Sequence, residues 1–163
     1  MSELPSDPWL VLRTRCRHEN VVESSLRQRE IVAWLPRWKG TRSDVPLFPG
    51  YIFVRPRADQ YESMRYIRGS CGFVLGCGSR PAAMPERDLR AVMTLVDSGS
   101  PLSIDPELVA GRRVKIIAGP LAGIEGDLVR VKNRALLVVN VELVNSSVRV
   151  EVEHSAIEVL ETA

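Results

Sequence analysis

The hydrophobic pattern changes character partway along the chain. In the first half, apolar runs are short and differ in period. Trp9-Leu10-Val11-Leu12 is a continuous apolar run that fits a buried strand. It leads into Arg13, Arg15 and Arg17, which alternate with Thr14 and Cys16, and on a strand the three arginines would share one face. Asn20 with Glu23 three residues on reads as a capping box at a helix start. Val22 and Leu26, with Val21 beside them, give that helix its apolar stripe, and Arg27 and Arg29 suit its C-terminal end. Val32 to Leu35 predicts a short strand stopped by Pro36. Pro46-Leu47-Phe48-Pro49-Gly50-Tyr51-Ile52-Phe53-Val54 must turn and then run into a β-prone strand. Tyr61, Met64, Tyr66 and Ile67 predict a second short helix carrying Arg65 and Arg68. In Cys71 to Gly78, the residues Cys71, Phe73, Leu75 and Cys77 fall on one face of a predicted strand, with glycines opposite. Pro85, Glu86 and Asp88 open a third helix that continues through Leu89, Val92, Met93 and Val96. This order predicts an α+β domain with a mainly antiparallel sheet flanked by helices.

Asp97-Ser98-Gly99-Ser100-Pro101-Leu102-Ser103-Ile104-Asp105-Pro106 has linker composition, and beyond it the period is two. Val114 and Ile116 alternate with Arg113 and Lys115, and Val129 and Val131 with Arg130 and Lys132. Leu137, Val139 and Val141 follow an expected turn at Asn133-Arg134, and Val148, Val150 and Val152 alternate with charged residues. Short strands separated by turn residues predict a small β-barrel. The expected division is 1–96, a linker at 97–107, and 108–163. Gly119-Pro120-Leu121-Ala122-Gly123 lacks the Lys-Ser/Thr ending and the following helix of a phosphate-binding loop, so its glycines read as turn and bulge positions.

Charge sharpens the division. Residues 1–96 carry 15 Lys+Arg against 10 Asp+Glu, and residues 97–163 carry 7 against 10, so a first half at +5 and a second at −3 make up the net +2. Fourteen of the 15 N-terminal cations are arginine, the side chain suited to phosphates and to stacking on bases. The candidate nucleic-acid residues are Arg13, Arg15, Arg17, His18 and Arg68, with a basic, aromatic-bearing loop at Arg37, Trp38, Lys39 and Arg42. Three cysteines without metal-type spacing fit free thiols in a reducing cytoplasm, and the Cys71/Cys77 spacing argues against zinc. Met1 to Pro8 has no apolar core behind a basic segment, so no signal peptide is expected. No apolar run is long enough for a bilayer span. With two histidines and only Cys16 near His18 as a nucleophile-and-base pair, an enzyme is not expected, and no cofactor or metal is called for.

Three aromatics crowd the stretch from Phe48 to Phe53 in a chain with three Phe and three Tyr. Ile52, Phe53 and Val54 read as core strand; Phe48 and Tyr51 flank the Pro49-Gly50 corner, where side chains are expected to project as anchors for a partner.

These features resemble the NusG family of bacterial transcription elongation factors. Trp9 opening the first strand and Leu47-Phe48-Pro49-Gly50-Tyr51 opening a central one resemble its NGN domain. Gly111, Gly119, Pro120, Gly123 and Gly126 between β-type runs resemble a KOW motif, which forms the first hairpin of an SH3-like barrel. The resemblance implies a cytoplasmic, monomeric transcription elongation or antitermination factor. Its NGN domain would dock on the clamp helices of the RNA polymerase largest subunit through Phe48, Pro49, Gly50 and Tyr51. The arginines and His18 would contact upstream or non-template DNA. The KOW domain would recruit a ribosomal protein or a termination factor. The Asp44-Val45-Pro46-Leu47-Phe48-Pro49 segment and the short loop before it look more like the operon-specific paralogues. The alternative is an RNA-binding or ribosome-associated KOW protein that acts without polymerase.

Overall fold

The structure, a computed structural model, describes residues 7–38, 45–64 and 66–160. They form two compact units by internal contacts. The first takes the described residues of Met1–Arg37 and Ser43–Pro85, the second those of Trp38–Arg42 and Glu86–Ala163. Among the described residues there are two antiparallel sheets and two α-helices, with short 3₁₀ turns between elements.

The first unit contains strand β1 (Leu10–Thr14), helix α1 (Glu19–Gln28), and strands β2 (Val32–Trp34), β3 (Tyr51–Arg55) and β4 (Ser70–Phe73). The sheet order is β2-β3-β1-β4, all antiparallel. Leu10 and Leu12 pair in register with Val54 and Ile52, and their face packs with Val22 and Leu26 of α1 in one buried cluster. That explains α1: an i, i+4 pair is enough to seat a short helix on a sheet. The helix ends because Glu30 takes φ 58, with Ile31 N–H donating to Leu26 O at 2.9 Å, a Schellman-type stop.

Several expectations change here. β1 ends at Thr14, so only Arg13 lies on a strand, and the three arginines do not share one face. The anticipated capping box is absent: the helix starts at Glu19, so His18 is the N-cap and makes no side-chain capping bond, Asn20 lies inside the helix, and both Asn20 and Glu23 bond Arg37. The second short helix is replaced by a 3₁₀ turn at Glu62–Met64, preceded by another at Ala58–Gln60, and Arg65 lies outside the described residues. The strand from Cys71 to Cys77 stops at Phe73; Cys71, Leu75 and Cys77 are exposed, and a hairpin closed by Gly76 N–H to Arg80 O follows.

The second unit contains helix α2 (Glu86–Asp97) and strands β5 (Leu102–Asp105), β6 (Arg112–Ile116), β7 (Glu125–Val131), β8 (Arg134–Val141), β9 (Ser146–Val152) and β10 (Ile157–Val159). They make one antiparallel sheet in the order β10-β6-β7-β8-β9-β5, whose two end strands are not paired with each other. Of the period-two apolar positions, Val114, Ile116, Leu137, Val139, Val141, Val148 and Val150 are buried, whereas Val129 and Val152 are half-buried and Val131 is exposed. The β7–β8 turn is Lys132-Asn133, one residue earlier than expected, with Lys132 at φ 56. Within the 97–107 stretch, Leu102–Asp105 is a strand paired to β9, and α2 groups with the second unit.

Candidate functional site

The Pro49-Gly50 corner is built from both ends of the first unit. Thr14 N–H donates to Gly50 O at 2.8 Å, closing the end of β1 against the turn. Gly50 N–H donates to Glu19 Oε1 at 3.0 Å, and Gly50 has φ 86, a backbone that favours glycine. Glu19 is buried in the first turn of α1, where an anion is favoured by the helix N-terminus. Leu47 N–H donates to Pro36 O at 2.7 Å and holds the other side of the loop.

Within this frame the aromatic pair separates. Phe48 is only 2% exposed, with its ring edge-on to Phe53 at 6.1 Å, while Trp34 stacks on the same Phe53 at 5.7 Å. The expected projection of Phe48 is therefore corrected: the ring fills a core position, because the corner folds it back over the Phe53 face. Pro49 is exposed and Tyr51 half-buried. Arg13 lies between Tyr51 on β3 and Gly72 on β4 in cross-strand register, so Tyr51 and Arg13 present one face of the sheet.

The other cations gather past the end of β1. Arg15 N–H donates to Gly69 O at 2.7 Å, bringing Arg15 beside the Arg68-Gly69 segment. A Cβ on Gly69 would lie 2.9 Å from His18 Cβ, so glycine is what lets this segment close on α1. Arg17 takes φ 64 in the intervening turn. His18 is half-buried, with Nδ1 2.9 Å from the Cys16 carbonyl oxygen. Against a carbonyl acceptor that nitrogen is the donor. The structure thus brings together Arg15, Arg17, His18 and Arg68 and leaves Arg13 on the sheet face. Arg13, Arg15, Arg17 and Arg68 are exposed and enter no ion pair among the described residues. Arg37, by contrast, is consumed internally, at 2.8 Å from Glu23 and 2.7 Å from Asn20. Lys39 and Arg42 of the expected basic loop lie outside the described residues.

In the second unit the glycines have separate backbone reasons. Gly119 and Gly123 take φ 84 and 96 in the turn between β6 and β7, with Gly123 N–H donating to Ile116 O at 2.8 Å. Gly111 and Gly126 lie against neighbouring strands: an added Cβ would stand 2.4 Å from Leu128 O and 2.7 Å from Val138 O. Pro120 is exposed at the turn.

A family model described as NusG, transcription termination factor nusG, matches residues 7–93, more than half of the chain. The chain belongs to the NusG family. The transcription termination/antitermination protein NusG of Vibrio parahaemolyticus serotype O3:K6 is 24% identical over 182 residues, covering 99% of this chain and all of that protein. The protein of the same name from Escherichia coli strain K12 is also 24% identical, with 97% and 99% covered. Among solved structures, one titled "Domain interaction in Thermotoga maritima NusG" matches with a TM-score of 0.60 at 21% identity, over 96% of this chain and 98% of that one, a likeness of fold. The family is one of transcription factors rather than enzymes.

In this NusG-family chain, sequence reasoning missed Glu19 as the pin of the Gly50 corner. A carboxylate at the start of α1 was the available signal, but only the fold shows that it reaches a backbone N–H 31 residues away. It also missed Asn140, whose amide accepts from Val109 N–H at 2.9 Å and donates to Val109 O at 2.7 Å. An isolated Asn in a valine-rich strand was the clue. No helix among the described residues is long and apolar enough to cross a membrane.

Proposed function

We propose that this protein is an operon-specific elongation or antitermination factor that acts in the cytoplasm as a monomer. Residues 1–96 act as the NGN domain, a reading supported by the family match through residue 93. Pro49, Gly50 and Tyr51 meet the clamp helices of the RNA polymerase largest subunit, and buried Phe48 holds their corner from beneath. Arg13, Arg15, Arg17, His18 and Arg68 contact the phosphates of upstream or non-template DNA, where contacts to the backbone position the protein. Residues 108–163 act as an SH3-like KOW barrel and recruit a ribosomal protein or a termination factor.

The observations that carry this reading are half-buried Tyr51 beside exposed Arg13 on the sheet face, and exposed Arg15, Arg17 and Arg68 past the end of β1, in a chain matching NusG over nearly its full length. A pull-down against purified core polymerase tests it, run beside structured RNA. Capture by polymerase without RNA is expected. Capture by structured RNA alone would favour the polymerase-independent KOW protein instead.

A further inference from the structure

We propose that β5 is a displaceable cover on the second unit's sheet, occupying an edge of β9 that accepts an extended segment of a partner protein. The inner edge of β9 is paired with β8 over seven residues, from Ala135↔Val152 to Val141↔Ser146. Its outer edge carries β5 alone, over four: Leu102↔Val150, Ser103↔Arg149, Ile104↔Val148 and Asp105↔Ser147. β5 cannot grow longer, because Pro101 and Pro106 bound it and neither has an N–H for the ladder. Its Leu102 and Ile104 are half-buried, whereas Val148 and Val150 beneath them are fully in the core. A seven-residue core strand is therefore shielded by a shorter, lightly buried one drawn from a segment of linker composition.

The fastening is uneven. The downstream end is held by side chains: Arg149 lies 3.5 Å from Asp105, Ser147 Oγ donates to Glu107 O at 2.8 Å, and Asn140 grips both backbone groups of Val109. Upstream, Gly99 takes φ 72 and Ser100 N–H donates to Ser98 Oγ at 3.2 Å, a bond within the turn and not to β9, so Leu102 to Ile104 have ladder pairing as their hold on β9. Such a strap peels from its upstream end while staying tethered at Val109. Peeling leaves the outer N–H and C=O groups of β9 unpaired, the arrangement that templates strand addition. The occupant's chemistry is written in β5 itself: an extended peptide with apolar side chains at alternate positions, followed by a carboxylate that reaches Arg149. That the occupant is the recruited factor rests on the proposed KOW role; the cover does not.

The test uses the full chain and a labelled peptide of residues 100–107 as probe. Replacing Leu102→Glu and Ile104→Glu together loosens the cover without touching β9. The altered chain is expected to bind the peptide at least tenfold more tightly than the unaltered chain, with faster hydrogen exchange across β9. Asp105→Lys, which removes the Arg149 contact and the acceptor of Glu107 N–H, is expected to give a smaller gain, and it decides the matter if the double variant does not fold. Equal peptide binding by altered and unaltered chains, or unchanged exchange across β9, overturns the cover. Neither readout involves polymerase, so a failure of polymerase docking on the same variants counts against the proposed function alone.

Discussion

Replacing Phe48 with alanine is expected to damage the fold before it damages any contact with a partner. The ring is 2% exposed and meets Phe53 edge-on, with Trp34 stacked on the same ring. Truncating a buried phenylalanine costs about 3–5 kcal/mol, since the lost transfer energy is joined by the cavity left behind. Natural domains hold only about 5–15 kcal/mol in all. In a unit of this size each kcal/mol moves Tm by about 4–8 °C, so a fall of more than about 10 °C is expected. Phe48→Leu keeps most of the volume and should lose less than half as much. Trp9 and Trp34 lie in the same unit, so tryptophan fluorescence during thermal unfolding reads the effect directly. A Tm for Phe48→Ala within about 2 °C of the unaltered protein would refute the core assignment and return the ring to the surface.

Three further outcomes follow from separate parts of the molecule. Gly126→Ala places a Cβ 2.7 Å from Val138 O and 2.9 Å from a Leu137 methyl, so a loss of about 1–3 kcal/mol is expected in far-UV unfolding curves; Gly119→Ala meets open space and should lose about 1 kcal/mol from its φ alone. Burial raises the Asp88 carboxyl above 3.8, reinforced by Glu142 and opposed by Arg87 and Arg113. A carboxylate with a raised folded-state pKa is a liability while ionised, and the liability fades as pH falls through that value towards 3.8. Asp88→Asn should therefore raise Tm at neutral pH, with the gain shrinking as pH approaches about 4; a constant gain across that range would contradict the assignment. Alanine at Arg15, Arg17 and Arg68 together should lower the salt slope of DNA binding by about 2–3, at about 0.7–0.9 for each phosphate no longer neutralised; an unchanged slope would make the patch solvated surface.

Legibility in the sequence followed the range of the forces involved. Strands set by alternation, such as β8 and β9, and helix α2, set by its Pro85 start and apolar spacing, were readable because local pattern and burial agree there. Tyr61 to Ile67 was misread because its apolar spacing serves a single 3₁₀ turn, Glu62–Met64, which buries Met64 without an α-helix. β5 was invisible for a different reason. Its four residues have no pattern that outweighs the surrounding Gly, Ser and Pro, and they become a strand only because β9 offers an edge. At the candidate site, residue types pointed to the right region, but not to roles. Nothing local distinguishes Phe48 from Tyr51, three residues apart at one corner; the Thr14–Gly50 and Glu19–Gly50 bonds decide which ring turns inward. Likewise Arg37 and Arg15 look alike in sequence, and the positions of Asn20 and Glu23 make one structural.

The central claim is that the exposed corner beside Arg13 is a polymerase-docking surface, and an affinity titration of Tyr51→Ala against core polymerase tests it most directly. A hot-spot residue is worth at least about 2 kcal/mol, so binding should weaken by about 30-fold while the Tm of the first unit stays near that of the unaltered protein. Unchanged affinity in a folded Tyr51→Ala protein would contradict the account.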